Sequence, residues 1–197
     1  MKFLPLTTLS LACVLALSAC DKPQKEHASV PVGDNKPALK LDNSPTAQLM
    51  AQTLKIGAWS AIKSSSQDPQ NFKLSDTELA CLLDYDKALF VEAGNAETQR
   101  MLNEELLNAS DEFYQTEAGQ ALLQFVTQLK IDHQGNPMPE DGTMVAEEYI
   151  VKSNEFNESE IGQKLKAVAQ SEQDVASTQK LLMELANKEK ARCQIAN

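Results

Sequence analysis

Few side chains in this sequence are suited to nucleophilic or metal chemistry. His133 is the only histidine in the predicted folded region, because His27 lies among prolines near the start of the chain. The sequence has no H-E-x-x-H pair, no G-x-S-x-G nucleophile turn and no glycine-rich phosphate loop. Asp84 and Asp86 are two positions apart in a predicted helix, so their carboxylates point to different sides. We therefore expect no catalytic residue, no metal site and no cofactor.

The cysteine nearest the amino terminus closes a short apolar segment. The stretch after Lys2 is too short for a membrane-spanning helix, which needs about 20 apolar residues, but it has the length of a signal-peptide core. Its end, Leu17-Ser18-Ala19-Cys20, resembles the lipobox of bacterial lipoproteins. This resemblance implies cleavage before Cys20, lipidation of its sulfur and acylation of the new amino terminus, and more than one acyl chain anchors stably. The alternatives are an ordinary secretory signal with a chance cysteine, or an uncleaved anchor.

The chain divides into three regions by composition. Residues 1–19 are the predicted signal peptide, and residues 20–45 form a lipidated, proline-rich flexible tether without apolar periodicity. Residues 46–197 are predicted to form a single helical domain, lipid-anchored in the cell envelope and facing the periplasm. Asp21 resembles a signal that keeps lipoproteins in the inner membrane of enteric bacteria, so it favours the inner membrane without deciding between the two.

The charge balance argues against a nucleic-acid partner. The chain has 28 acidic and 18 basic residues and a formal net charge of −10. Such a surface repels phosphate backbones and anionic headgroups, so the lipid rather than a basic patch must hold the protein on a membrane.

Periodic apolar residues and helix stop signals predict an all-α bundle of about six to seven helices. The predicted helices cover about residues 46–64, 76–93, 97–114, 117–131, 144–156, 160–170 and 173–193. Ser75 and Glu78 form a capping box before the second helix, and Ala93-Gly94-Asn95 is predicted to end it. No segment shows the period-two alternation of a strand.

Two cysteines remain in the predicted domain. Cys81 and Cys193 both fall in predicted helices, and an exported protein meets an oxidising compartment where disulfides persist. A bond between them would close a loop of 112 residues, worth on the order of 4–5 kcal/mol in the chain-entropy model. The alternative is two separate buried thiols.

The strongest internal pattern is a repeat. Residues 101–122 and 144–165 align without a gap at an offset of 43, and ten of 22 positions are identical. We interpret the pattern as a duplicated helix–break–helix unit. Phe113 and Phe156 are predicted core anchors, and Thr116 and Ser159 are candidate N-caps for the helices that follow.

Each unit repeats a glycine and a glutamine. Gly119 and Gly162 are costly in a helix, so they indicate either a tight approach between helices or an open pocket for a ligand. Gln120 and Gln163 are surface amides, bonds to a neighbouring loop or partner contacts. These four residues form the predicted partner or ligand surface.

The repeat also carries a family resemblance. Phe113-Tyr114-Gln115-Thr116-Glu117-Ala118-Gly119-Gln120 is similar to the F-Y-x-[ST]-x-x-G-[QR]-K motif of an uncharacterised family of exported helical bacterial proteins, and residues 156–165 resemble it too. The first copy has Ala121 where lysine is usual, and the second has Asn157 in place of tyrosine. The resemblance implies an all-helical periplasmic domain and no particular activity.

Three functions remain open. The sequence favours a non-catalytic interaction or adaptor module that binds another envelope protein. The main alternative is a carrier or sensor of a small apolar or cationic ligand, which predicts a pocket lined from both repeat units near Trp59 or the two glycines. A hydrolase built on a pair of acids, or a carboxylate-only cation site, has weaker support.

The lipobox predicts what a serine at position 20 would do. We expect Cys20→Ser to abolish incorporation of labelled palmitate and to release the protein from sedimented membranes, because the acceptor sulfur is gone. Cys13→Ser is the matched control and should change neither, since Cys13 lies in the segment predicted to be removed. Undiminished labelling of Cys20→Ser would contradict the assignment.

Overall fold

The structure is a computed structural model, and it describes residues 38–140 and 144–195. Over these residues the fold is all-α, as predicted. The helices are α1 (Pro45–Ser64), α2 (Asp76–Leu83), α3 (Lys87–Met101), α4 (Glu104–Gln115), α5 (Glu117–Thr127), α6 (Glu147–Glu158), α7 (Glu160–Ala169) and α8 (Glu172–Cys193). A two-residue hairpin of β1 (Lys130–Ile131) and β2 (Pro137–Met138) separates α5 from α6. None of the helices in this part of the chain is long and apolar enough to cross a membrane.

Helix α1 is the central element of the domain. It packs against α3, α8, α4 and α5, and Leu54, Ala58 and Ile62 on it are almost completely buried. The spacing of these residues by four positions predicts this inward face. Because so many helices share α1, small residues at its crossings decide how closely the bundle packs.

Helix α3 crosses α1 at a glycine. A Cβ atom added to Gly94 would lie 2.7 Å from the backbone nitrogen of Ala51 and 2.8 Å from its Cα. A side chain therefore cannot fit at position 94 unless the two helices move apart.

The prediction of one continuous helix over residues 76–93 is wrong. Helix α2 ends at Leu83. Asp86 is the N-cap of α3, and its Oδ1 accepts a hydrogen bond from Leu89 N at 3.1 Å. Helix α3 then continues through Gly94 to Met101. Asn103 begins α4 with the same type of cap, since its side chain accepts from Leu106 N at 2.9 Å. The described part of the chain consequently has eight helices instead of six or seven.

The hairpin also departs from the predicted all-helical path. Helix α5 ends at Thr127 rather than near residue 131, and Ile131 pairs with Pro137 in an antiparallel register. The intervening turn places Gly135 at φ 72°, and Asp132 accepts a hydrogen bond from Asn136 N at 2.8 Å. Glycine suits this left-handed conformation because it has no Cβ.

The predicted disulfide is present. Cys81 on α2 is bonded to Cys193 at the end of α8, with the two Cα atoms 5.6 Å apart. Arg192 donates from Nη2 to the carbonyl oxygen of Cys81 at 2.7 Å and pairs with the buried Glu189. The bond therefore joins the short helix α2 to the last helix of the bundle.

The packed domain begins before residue 45. Leu39 and Leu41, which the sequence analysis assigned to the tether, pack against the core. Leu39 N also donates to Gln99 Oε1 at 2.7 Å. Residues 38–45 thus belong to the packed domain, whereas residues 20–37 of the predicted tether lie outside the described residues.

The close approach at Gly94 predicts a large effect of one methyl group. We expect Gly94→Ala to lower the free energy of unfolding by at least about 2 kcal/mol, because the new Cβ meets backbone atoms of α1. Urea denaturation with the disulfide intact measures this.

Gly57→Ala is the matched control on the other helix. A Cβ at position 57 would lie 2.6 Å from Leu182 Cδ2, the end of a flexible side chain that can move. We expect a smaller loss for Gly57→Ala than for Gly94→Ala. The reverse order, or a stabilised Gly94→Ala protein, would contradict the crossing described here.

Candidate functional site

The turn from α4 to α5 is built on one hydroxyl group. Thr116 Oγ1 donates to the carbonyl oxygen of Phe113 at 2.7 Å and accepts from Gly119 N at 3.2 Å. The same side chain therefore satisfies the end of one helix and the beginning of the next. Such caps supply partners for backbone groups that a helix leaves unpaired at its ends.

The turn from α6 to α7 repeats this arrangement. Ser159 Oγ donates to the carbonyl oxygen of Phe156 at 2.6 Å and accepts from Gly162 N at 3.1 Å. Thr116 and Ser159 also share an extended backbone, with ψ at 163° in both. Helices α4 and α6 have 12 residues each, and the four helices of the two units begin at positions related by the offset of 43. The duplication seen in the sequence is a duplication of helix pairs.

The two repeated glycines permit the close turn within each unit. A Cβ on Gly119 would lie 2.2 Å from the carbonyl oxygen of Phe113, and one on Gly162 would lie 2.2 Å from that of Phe156. Of the two interpretations of these glycines, the geometry favours a tight approach over an open pocket at the helix N-terminus.

The two repeated glutamines also act within their own units. Gln120 Nε2 donates to the carbonyl oxygen of Tyr114 at 2.6 Å, and Gln163 Nε2 donates to that of Asn157 at 2.9 Å. Each amide thus pairs with a carbonyl group near the end of the preceding helix, which lacks its normal helical partner.

The units pack on each other reciprocally. Helix α5 contacts α6, and α4 contacts α7, so each helix meets the non-equivalent helix of the other unit. The equivalent rings of Phe113 and Phe156 stack with centroids 4.1 Å apart and planes 8° apart. This is the pattern of an isologous contact, in which equivalent residues meet at a two-fold axis. The two phenylalanines, which were predicted as core anchors, are half-buried and contact each other, and each also packs against a cluster of buried hydrophobic residues.

An open groove of about 670 Å³ lies along this seam, and we call it the seam groove. Most of its lining residues are polar, and they come from α1, α5 and α6, including residues from both units. The lining residues are Gln48, Glu117, Gln120, Ala121, Leu123, Gln124, Thr127, Gln128 and Tyr149. Of the four predicted surface residues, only Gln120 lines the seam groove; Gly119, Gly162 and Gln163 do not.

A second unusual group is a buried lysine on α1. Lys55 is 2 % exposed, and its Nζ lies 4.9 Å from the ring centroid of Trp59 and 4.8 Å from that of Tyr85. Within the described residues, no carboxylate lies close enough to pair with it. Burial lowers the pKa of Lys55 from 10.5 to about 8, because it disfavours the charged form.

The burial of Lys55 was not predicted from the sequence. The available signal is its position four residues after Ala51 and four before Trp59, which places it on an apolar face of α1. The two rings hold the ammonium group by cation–π contacts, which offset part of the cost of burial.

The remaining predicted residues lie elsewhere. His133 is in the hairpin turn, where Nδ1 is 3.0 Å from the carbonyl oxygen of Leu74. Cys20 and Asp21 lie outside the described residues. Among the described residues, no group of three or more metal-ligating side chains is close enough to hold an ion.

Comparisons with protein families, with curated proteins and with solved structures found no match to this chain.

The buried lysine predicts a pH dependence of stability. Between pH 8 and 10.5 the folded protein releases the Lys55 proton while the unfolded chain still binds it, so the free energy of unfolding rises with pH. The rise is no more than about 3 kcal/mol. We expect Lys55→Met to remove this component and to stabilise the protein at pH 7, as measured by urea denaturation at several pH values.

Lys188→Met is the matched control, because Lys188 is exposed on α8. It should leave the pH dependence of the wild-type protein unchanged. Parallel pH profiles for Lys55→Met and the wild-type protein would contradict the lowered pKa of Lys55.

Proposed function

We propose that this protein is a lipid-anchored adaptor of the bacterial cell envelope that binds a polypeptide segment of another envelope protein in the seam groove. It acts by binding and not by catalysis. The observation that carries the proposal is the seam groove itself, which is open and lined from both units of the duplication.

The chemistry of the seam groove suits a peptide. Gln48, Gln120 and Gln124 are exposed and line it. A side-chain amide both donates and accepts hydrogen bonds, so a row of amides can pair with the N–H and C=O groups of an extended backbone. Pockets for small molecules usually bury most of the ligand surface, whereas the seam groove is open.

The envelope location is supported by two independent features. Leu17-Ser18-Ala19-Cys20 resembles a lipobox, and the domain contains the Cys81–Cys193 disulfide. Structural disulfides persist in exported proteins and are rare in the reducing cytosol. Both features therefore support export of the protein to the cell envelope.

The carrier hypothesis remains the second candidate. It predicts a pocket lined from both repeat units, and the seam groove includes residues of α5 together with Tyr149 of α6. At Trp59, one of its other predicted locations, the Lys55 ammonium group lies over the ring at 4.9 Å from the centroid. A carried ligand would appear as a small added mass on the intact protein in native mass spectrometry.

A photo-crosslinking amino acid in the seam groove tests the adaptor proposal. We expect benzoylphenylalanine at Gln48, in the full-length protein in intact cells, to give one saturable adduct with a single envelope protein. The same amino acid at Lys188, exposed on α8, should give no such adduct. Mass spectrometry of the adduct identifies the partner.

A blocking substitution makes the test specific to the seam groove. Gln124→Trp, placed in the protein that carries the crosslinker at Gln48, should abolish the adduct because the indole fills the seam groove. Lys188→Trp is its control and should leave the adduct intact. Equal adducts from Gln48 and Lys188, or an adduct that resists Gln124→Trp, would contradict the proposal.

A further inference from the structure

The duplication is broken at one charged position. In the second unit, Lys164 on α7 contacts two carboxylates: its Nζ is 2.9 Å from Glu160 Oε1 on the same helix and 3.3 Å from Glu105 Oε1 on α4. This lysine thus joins the two units across the seam. The equivalent position in the first unit, 43 residues earlier, is Ala121.

Both carboxylate positions are retained where the lysine is absent. The equivalents of Glu160 and Glu105 are Glu117 on α5 and Glu148 on α6, at the same offset of 43. Neither makes an ion pair within residues 38–140 and 144–195. The two carboxylates are therefore retained as Glu117 and Glu148, but the lysine that would pair with them is replaced by Ala121.

The position of the first unit that lacks the lysine, Ala121, faces the open seam groove. Ala121 and Glu117 both line the seam groove, beside Tyr149. Lys152 on α6 places its Nζ 5.7 Å from the ring centroid of Tyr149, and it makes no ion pair with a described carboxylate. The seam groove thus provides room for a side chain where the second unit supplies its own.

We propose that the seam groove receives a lysine side chain of the bound polypeptide, whose ammonium group takes the place between Glu117 and Glu148 that Lys164 takes between Glu160 and Glu105. The inference rests on the proposed adaptor function and names the chemistry of the partner. An ammonium group complements two carboxylates, and the glutamine amides of the seam groove complement the backbone that carries it.

The test uses the full-length lipidated protein in phosphatidylcholine nanodiscs and a defined probe. The probe is an acetylated and amidated nonapeptide of glycine, alanine and glutamine with one central lysine, and norleucine replaces that lysine in the control peptide. Saturation-transfer NMR titrations read the side-chain protons of the central residue, lysine or norleucine. We expect the lysine peptide to bind about fivefold more tightly than the norleucine peptide, and this difference to shrink at 0.5 M salt.

Substitutions in the protein assign the effect to this position. Ala121→Lys should abolish binding of the lysine peptide. The new lysine would pair with Glu117 and Glu148, as Lys164 pairs with Glu160 and Glu105 in the second unit. Asn187→Lys adds the same charge on an exposed face of α8 and should not. Glu117→Gln and Glu148→Gln should each weaken binding without unfolding the protein, which circular dichroism checks.

The outcomes separate this inference from the adaptor function. Equal binding of the lysine and norleucine peptides, binding of neither peptide, or full binding by Ala121→Lys would overturn the lysine site. In each of these cases the adduct from Gln48 in cells still reports independently whether the seam groove binds a protein. Loss of that adduct in Ala121→Lys, but not in Asn187→Lys, is the result expected if both are correct.

Discussion

The short turn between paired helices is the constraint on which the candidate site depends. In each unit one hydroxyl group satisfies the end of the first helix and the start of the second, and a glycine lets the two come close. Both units use the same turn, their first helices have 12 residues each, and the two helix pairs pack reciprocally. The stacked rings of Phe113 and Phe156 lie where the equivalent helices end. The seam groove is a consequence of this packing, since it forms between α5 of one unit and α6 of the other, against α1.

Local signals in the sequence predicted these turns well. The N-caps Ser75, Thr116 and Ser159 are hydroxyl residues whose role depends on neighbours three positions away. The duplication was visible partly for the same reason, because the repeated glycines and glutamines occupy positions at the turn. The Cys81–Cys193 pairing was predictable because only two cysteines lie in the domain.

The errors arose where distant contacts decide the structure. A glycine commonly ends a helix, yet α3 continues through Gly94, where Ala51 of α1 leaves no room for a side chain. The burial of Lys55 depends on Tyr85, which belongs to a different part of the chain. The seam groove could not be predicted from one segment, since its lining comes from three helices.

Under the proposal the two units have different roles. In the second unit Lys164 pairs with Glu160 and Glu105, whereas the first unit has Ala121 at the equivalent position, where a partner's lysine side chain would bind. Duplication followed by loss of one lysine would turn an internal contact into a binding site. The lipid anchor predicted at Cys20 would hold that site at the membrane surface, near partners in the same envelope.

Hydrogen–deuterium exchange compares occupied and empty states of the seam groove most directly. The full-length protein would be measured in native envelope membranes and again after purification into phosphatidylcholine nanodiscs. The account predicts slower exchange of amides in α5 and the first turns of α6 in native membranes, with α8 unchanged. Equal exchange in α5 and α6 under both conditions, or slower exchange confined to α8, would contradict the claim that the seam groove is the partner site.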